Sequence, residues 1–320
     1  MTTLTDVAKR ANVSKMTVSR VINHPEQVRD ELKQSVFTAM HELNYRPNVA
    51  AKALVNNRTQ IIKLFILEDM DTTEPYYVNL LAGISKELGK EQYSLQLVTN
   101  HSFDIGGCDG YIVTGMRHTD FEWVQRLTRP VVLFGENRLE LDYCDTNNTL
   151  GTQMATEYAL KQGYTNIEFI GINVKEPFEY SREAGYLMSM QNHQLPTTIH
   201  RFSNHSHLAM EYIEANWSDL KANTCYVCAS DRLAFGIEKG LTIFNARVPA
   251  DFGIIGFDGV FLNQVATPKL TTVQQPIFEL GVRCARMLLT KIEKDGQSQG
   301  IEQLLPTLSI AGSTRNDQGD

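Results

Sequence analysis

The chain has 320 residues, of which 42% are hydrophobic and 21% charged, with a formal net charge of −7. That length fits two or three compact units, and the composition excludes a disordered chain and a disulfide scaffold. Taken alone, the acidic balance also argues against a nucleic-acid binder, but it is unevenly spread. Residues 1–60 hold nine Lys or Arg and five Asp or Glu, so they carry +4 while the remainder carries −11. A small basic head on an acidic body suits DNA at one end only.

In the head, Thr3 followed by Asp6 is a capping-box pattern that opens a helix at Leu4, with Leu4, Val7, Ala8 and Ala11 on one face. Asn12 tolerates the left-handed backbone that leaves a helix tightly. Ser14 is a good N-cap for a second helix over Lys15–Asn23, where Val18, Val21 and Ile22 point inward and Lys15, Met16, Ser19, Arg20 and Asn23 share the other face. A third helix is expected at about Arg29–Leu43, with Leu32, Val36, Met40 and Leu43 inward. Two short helices across a three-residue turn, braced by a third, make a helix-turn-helix. A small protein-binding bundle would fit the apolar faces equally well. It would leave the cationic, hydrogen-bonding face unexplained, whereas Arg20 suits guanine or phosphate and Lys15 and Met16 suit base edges and thymine methyls. Next, Asn48–Val55 is alanine-rich and too short to persist as an isolated helix, so it reads as a short paired helix or a linker with one core leucine.

The body alternates short apolar runs with helical patterns. The runs are Ile61–Leu67, Leu95–Thr99, Tyr111–Thr114, Val131–Phe134, Ile167–Ile170, Thr224–Ala229 and Ile254–Phe257. The helical patterns lie at Tyr77–Glu91, Thr149–Lys161, Arg182–Asn192, Leu208–Ala215, Leu233–Phe244 and Ile277–Lys291. This is an α/β reading with parallel strands, enough for two sheets. Cysteines 108, 144, 225, 228 and 284 are scattered, and Cys225-x-x-Cys228 lacks a second ligand pair at zinc spacing, so packing is expected there. Met1 leads straight into a polar helix start and no apolar stretch is long enough to span a bilayer. The expected setting is therefore a reducing cytoplasm without membrane attachment. A Gly-rich phosphate loop, a dinucleotide fingerprint and a nucleophile elbow are not found, so an enzyme, a metal and a cofactor are not expected.

Three head segments carry a resemblance: Leu4-Thr-Asp-Val-Ala8, Val13-Ser-Lys-Met-Thr-Val-Ser-Arg-Val-Ile-Asn23 and Leu43-Asn-Tyr-Arg-Pro-Asn48. In the body, so do Gly163-Tyr-Thr-Asn-Ile-Glu-Phe-Ile-Gly171, Arg182-x-x-Gly-Tyr186, Ala229-Ser-Asp-Arg-Leu-Ala-Phe-Gly236, Val248–Asp258 and Pro268–Pro276. The chain resembles the LacI/GalR family of bacterial transcription regulators from end to end. That resemblance implies a headpiece over 1–46, a hinge helix and linker over 47–58, and a two-lobed core like periplasmic sugar-binding proteins over 59–315. The lobes are expected at about 59–160 with 276–302, and 161–275 with 303–315. It also implies a homodimer on palindromic operator DNA, contacted through Thr5, Ser14, Lys15, Met16, Thr17, Ser19, Arg20, Asn23, Tyr45, Asn48 and Ala51. Leu54 would be wedged between central base pairs.

By the same resemblance, a small sugar-type effector sits between the lobes, and a non-sugar ligand or a protein co-regulator is the alternative. Tyr76, Tyr77, Asn147, Arg182, Phe202, Ser230, Asp258 and Gln275 are the candidate contacts, aromatics for C–H faces and charged or amide groups for hydroxyls. Three departures from the family pattern stand out. Only Asn100–Gly110 separates the second and third strands, where a helix is usual. Ser230 replaces a frequent Asn. The tail Ser313–Asp320 lacks heptad leucines, so a dimer rather than a tetramer is expected.

Overall fold

The structure, a computed structural model, describes residues 2–23, 27–45, 58–68, 75–99 and 106–316. The chain divides into two compact units, residues 1–60 and 61–320.

The first unit holds α1 (Leu4–Arg10), α2 (Lys15–Asn23) and α3 (Asp30–Glu42). Thr3 caps α1 with the expected reciprocal pair: its hydroxyl accepts from the Asp6 amide, and the Asp6 carboxylate accepts from the Thr3 amide at 2.8 Å. Asn12 has φ of +53°, and Ser14 Oγ accepts from the Thr17 amide at 3.0 Å to start α2. Val7, Ala8, Val18, Val21, Val36 and Ala39 form a small buried core, with Leu4, Met40 and Leu43 packed against it.

The second unit is built on two six-stranded sheets. Its elements begin with β1 (Ile61–Ile66), α4 (Tyr76–Lys90), β2 (Ser94–Thr99), β3 (Gly110–Thr114), α5 (Phe121–Gln125), β4 (Val131–Phe134) and β5 (Tyr143–Thr146). They continue with α6 (Asn148–Lys161), β6 (Asn166–Ile172), α7 (Pro177–Asn192), β7 (Thr198–Phe202), α8 (Ser206–Asn216), β8 (Thr224–Cys228) and α9 (Asp231–Ile243). The chain closes with β9 (Phe252–Asp258), α10 (Leu262–Val265), β10 (Thr271–Gln274), α11 (Ile277–Glu293), β11 (Ile301–Leu304) and β12 (Thr307–Ser309).

The first sheet runs β11-β5-β4-β3-β1-β2 and is parallel throughout. The second runs β12-β10-β9-β8-β6-β7, with β12 alone antiparallel. The chain crosses between the sheets after β5, after β10 and after β11. Burial on both faces explains the near-continuous apolar strands. In β1, Ile62, Leu64 and Ile66 face the core under α4 and α11, while Phe65 joins Val98, Val113 and Leu133 on the other face. Helices α4 and α11 meet at Gly83, where a Cβ would lie 2.0 Å from the Phe278 carbonyl oxygen.

Two boundaries differ from the sequence reading. A first lobe running to residue 160 would include helix α6, but its Ala155 and Ala159 belong to the core of the second sheet. Strand β11 pairs with β5 through Leu304, so the last crossing falls after Leu304 rather than at 302. Part of the short Asn100–Gly110 segment, residues 100–105, lies outside the described residues. Among the described residues no helix is long and apolar enough to cross a membrane.

Candidate DNA-binding face and effector cleft

On α2 the inward residues are Val18 and Val21, which places Lys15, Met16 and Arg20 on the exposed side. Met16 is 72% exposed, so its side chain is free to meet a partner on this face. Thr5 is exposed; Thr17, Ser19 and Tyr45 are half-buried at the margins of this unit. Ser14 and Thr17 spend part of their hydrogen-bonding on the cap itself, their hydroxyls 2.8 Å apart. The Asn23 side chain and all of Asn48, Ala51 and Leu54 lie outside the described residues.

The second unit encloses a cleft of about 450 Å³. It opens at the carboxyl ends of strands from both sheets, where α/β folds place their ligands. Glu68 follows β1, Gly115 follows β3, Glu136 follows β4 and Asp145 lies in β5. Ser230 follows β8, Asp258 ends β9 and Gln275 follows β10; all seven line the cavity. Tyr76 and Tyr77 line it from the first turn of α4, their rings 5.4 Å apart edge to face, and Phe134 lies 6.2 Å from Tyr76.

Arg182, on α7, is 6% exposed. Its Nε donates to Asn148 Oδ1 at 2.9 Å and its Nη1 to the Ala229 carbonyl at 2.5 Å, and its guanidinium stacks 3.8 Å from the Phe257 ring centroid. The Asp258 backbone has φ of +126°, and its Oδ1 accepts from Gln275 Nε2 at 2.8 Å. Gln275 Oε1 accepts from Thr146 Oγ1 at 2.8 Å. Ser230 caps α9, accepting from the Leu233 amide at 3.2 Å and donating to Asn204 Oδ1 at 2.6 Å.

Two expected contacts do not lie on the cleft wall. Asn147 caps α6, its Oδ1 accepting from the Leu150 amide at 2.9 Å; the next residue, Asn148, is the one turned inward, between Glu136, Asp145 and Arg182. The Phe202 ring packs 5.5 Å from Tyr212, within the second core. The second lobe's aromatic wall is Phe178 instead, whose ring lies 5.1 Å from the Arg182 guanidinium. Its signal in the sequence was a position one turn before Arg182 on the same helix, which places the two side chains on one face.

Charge in the cleft is unevenly distributed. Among the described residues the lining carboxylates are Glu68, Glu136, Asp145, Glu176 and Asp258, and the lining guanidiniums Arg117, Arg182 and Arg232. Burial, and then the neighbouring Glu136, push the Asp145 carboxyl up to about 6. Just outside the lining, burial pushes Glu179 up to about 8, although Arg182 opposes it. Glu179 Oε1 accepts from the Ile172 amide at 2.8 Å while Oε2 is buried without a hydrogen-bond partner among the described residues. Its folded pKa exceeds the unfolded one, so ionisation costs stability as pH rises from about 4.5 to about 8. Glu179→Gln keeps the amide acceptor and removes that charge. Relative to the difference between the two proteins near pH 5, the variant is expected to gain at least about 2 kcal/mol over the parent at pH 8.5, a conservative share of a linkage worth about 1.4 kcal/mol per pH unit between the unfolded and folded values. Urea denaturation at the two pH values measures this; an equal difference at both contradicts it.

The cysteines offer no metal centre. Cys225 and Cys228 are buried and free in β8, and three residues apart on a strand they point to opposite faces, each packed in the second core. Among the described residues no cluster of His, Cys, Asp or Glu is arranged to hold a metal ion.

Comparison with known proteins agrees with this geometry. Residues 3–48 match the family described as "Bacterial regulatory proteins, lacI family", and residues 156–314 the "Periplasmic binding protein-like domain". The chain is 50% identical over 319 residues to the uncharacterized HTH-type transcriptional regulator YvdE of Bacillus subtilis, covering 98% of this chain and 100% of that protein. It is 31% identical over 310 residues to the ribose operon repressor of Halalkalibacterium halodurans, covering 92% and 91% of the two. The fold matches the transcriptional regulator CelR in complex with cellobiose, with a TM-score of 0.71, 24% identity and coverage of 98% and 100%. It also matches the lac repressor dimer bound to operator and the anti-inducer ONPF, with a TM-score of 0.71, 21% identity and coverage of 98% and 99%. With a matching head, a matching core and a half-identical relative of the same length, the chain belongs to the lacI family of bacterial regulatory proteins and is a DNA-binding transcriptional regulator rather than an enzyme.

Proposed function

We propose that the protein is a cytoplasmic homodimeric repressor of carbohydrate-metabolism genes. Its hold on a palindromic operator is set by a small sugar-type effector in the cleft. The division of labour follows the sequence reading: residues 1–46 read the half-site and residues 47–58 form the hinge, with Asn48 and Ala51 at the DNA and Leu54 as the wedge. Residues 59–315 bind effector and pair the subunits. The observation that carries the reading is the cleft itself: Tyr76, Tyr77 and Phe178 offer aromatic faces, and Arg182, Ser230, Asp258 and Gln275 offer polar groups, around one cavity. That mixture of flat apolar faces and convergent hydrogen-bonding groups suits a polyol. The relatives named for the ribose operon and the complex with cellobiose support the same class of ligand.

On DNA, Lys15, Met16 and Arg20 would set base choice, with Thr5, Ser14, Thr17, Ser19, Asn23 and Tyr45 positioning the head on the backbone. Arg20→Ala is expected to lower affinity for an inverted repeat selected by the wild-type protein by about 1–3 kcal/mol, the value of one bidentate base contact. Gel-shift titration measures it. Unchanged affinity removes Arg20 from the reading surface.

A further inference from the structure

Glu68 lies two residues beyond β1 and is held from two sides. Its backbone crosses Gly115, whose φ is +68° and where a Cβ would lie 3.0 Å from the Glu68 amide nitrogen. Its carboxylate is shared: Oε1 accepts from the Tyr77 hydroxyl, and Oε2 pairs with Arg117 Nη2 at 2.6 Å. Arg117 also faces the charge of Glu176. The guanidinium at this end of the cleft is therefore already matched by carboxylates. Arg182 gives two of its nitrogens to Asn148 and Ala229 and faces Asp145 and Glu179, and Arg232 donates to the Asn204 carbonyl at 3.3 Å. Glu136 and Asp258 are further lining carboxylates, so among the described residues the lining holds five carboxylates and three guanidiniums.

An anionic ligand entering this cavity would meet a surplus of carboxylates and would have to displace Glu68 to reach Arg117. A neutral polyol meets no such barrier, and its hydroxyls can donate to those same carboxylates. Resting on the proposal that the cleft holds a sugar-type effector, we infer that Glu68 determines the charge selectivity of the site: it neutralises Arg117, so that the cleft takes uncharged saccharides and rejects sugar phosphates and uronates.

Calorimetric titration of the full chain at matched ionic strength tests this with paired probes: ribose against ribose phosphate, glucose against glucuronate and glucose phosphate, and maltose and cellobiose against their phosphates. The wild-type protein is expected to bind at least one neutral probe at least about tenfold tighter than its charged partner, since one unscreened like charge at contact distance is worth that much. Glu68→Gln keeps an acceptor for Tyr77 and releases Arg117, and is expected to narrow that ratio about fivefold or more. Adding Arg117→Gln to it restores the neutral preference. Circular dichroism confirms that the variants are folded. Charged probes binding the wild type as tightly as neutral ones, or a ratio unmoved by Glu68→Gln, overturn the inference while leaving a saccharide site in place. Binding of no probe overturns the saccharide reading and this inference together.

Discussion

Arg182→Ala is expected to abolish the response to effector, with a loss of about a hundredfold or more in ligand affinity, as for truncation of a central charged anchor. Binding of the unliganded protein to its DNA site should change by less than about threefold. The size of the effect comes from the position of the side chain. Arg182 is buried, stacked on Phe257 and bonded to both Asn148 and Ala229, so it links the start of α6 and the second turn of α7 to the end of β8. Removing it takes a donor from the cleft and also releases the groups that shape its floor. Arg182→Lys keeps the charge but neither the fork nor the stack, and should rescue little. Titration calorimetry for ligand and fluorescence anisotropy for DNA separate the two effects. A variant that still answers to effector takes Arg182 out of the site.

The largest effect on stability is expected far from the cleft. Lys291, on α11, pairs with Asp142 at 2.8 Å and donates to the Val131 carbonyl at 2.9 Å, with side-chain exposures of 11% and 2% for the pair. Ser298 Oγ and the Gly300 amide complete the carboxylate's partners. Burial alone would raise the Asp142 pKa, but the Lys291 ammonium and these donors outweigh it and hold it below the usual carboxylate range. Lys291→Met leaves that buried carboxylate uncompensated and is expected to cost about 3–5 kcal/mol. A depressed folded pKa stabilises above the unfolded value near 3.8 and loses that contribution as pH falls through the folded pKa. In Lys291→Met the ammonium is gone and burial raises the Asp142 carboxyl, so the deficit should be largest at neutral pH and above, begin to shrink above the ordinary carboxylate value as the variant's Asp142 takes up a proton, and close as pH falls through the wild-type pKa. Replacing both residues by apolar ones should recover most of the loss. Urea denaturation across this pH range decides it; a pH-independent deficit contradicts the ion pair as its cause.

Local chemistry made the head legible. Thr3 with Asp6, the left-handed Asn12 and Ser14 before α2 each act within three residues of themselves, and each is where the sequence placed it. The six longer helices of the core were legible from their apolar periodicity, although α7 begins at Pro177, five residues before the apolar pattern suggested, and the short α5 and α10 were not foreseen. Strands β5, β7, β10, β11 and β12 were not foreseen. Tyr143–Thr146, Thr198–Phe202 and Thr271–Gln274 are short and rich in polar residues, and their identity as strands comes from the neighbours they pair with.

The candidate site divides along the same line. Tyr76, Tyr77, Arg182, Ser230, Asp258 and Gln275 do line one cavity. Asn147 and Asn148 are adjacent and chemically identical; the helix start engages the first as its cap, and the second is buried behind the cleft wall, bonded to Glu136, Asp145 and Arg182. Phe202 and Phe178 are both aromatic, but only the packing of Tyr212 against β7 shows that Phe202 is spent on the core. Glu68 and Arg117 are 49 residues apart in sequence, and no local pattern joins them.

The central claim is that a symmetric pair of these chains grips DNA through α2 and that cleft occupancy changes the grip. Selection from a random duplex library, followed by anisotropy titration at low ionic strength, tests it most directly. The selected sites should be inverted repeats with half-site centres about one helical turn apart. A saccharide that raises the melting temperature of the protein should shift the affinity for those sites, because only unequal binding to the two states can drive a switch. Recovery of sequences with no repeat symmetry, or an affinity unmoved by a saccharide that demonstrably binds, would contradict the account.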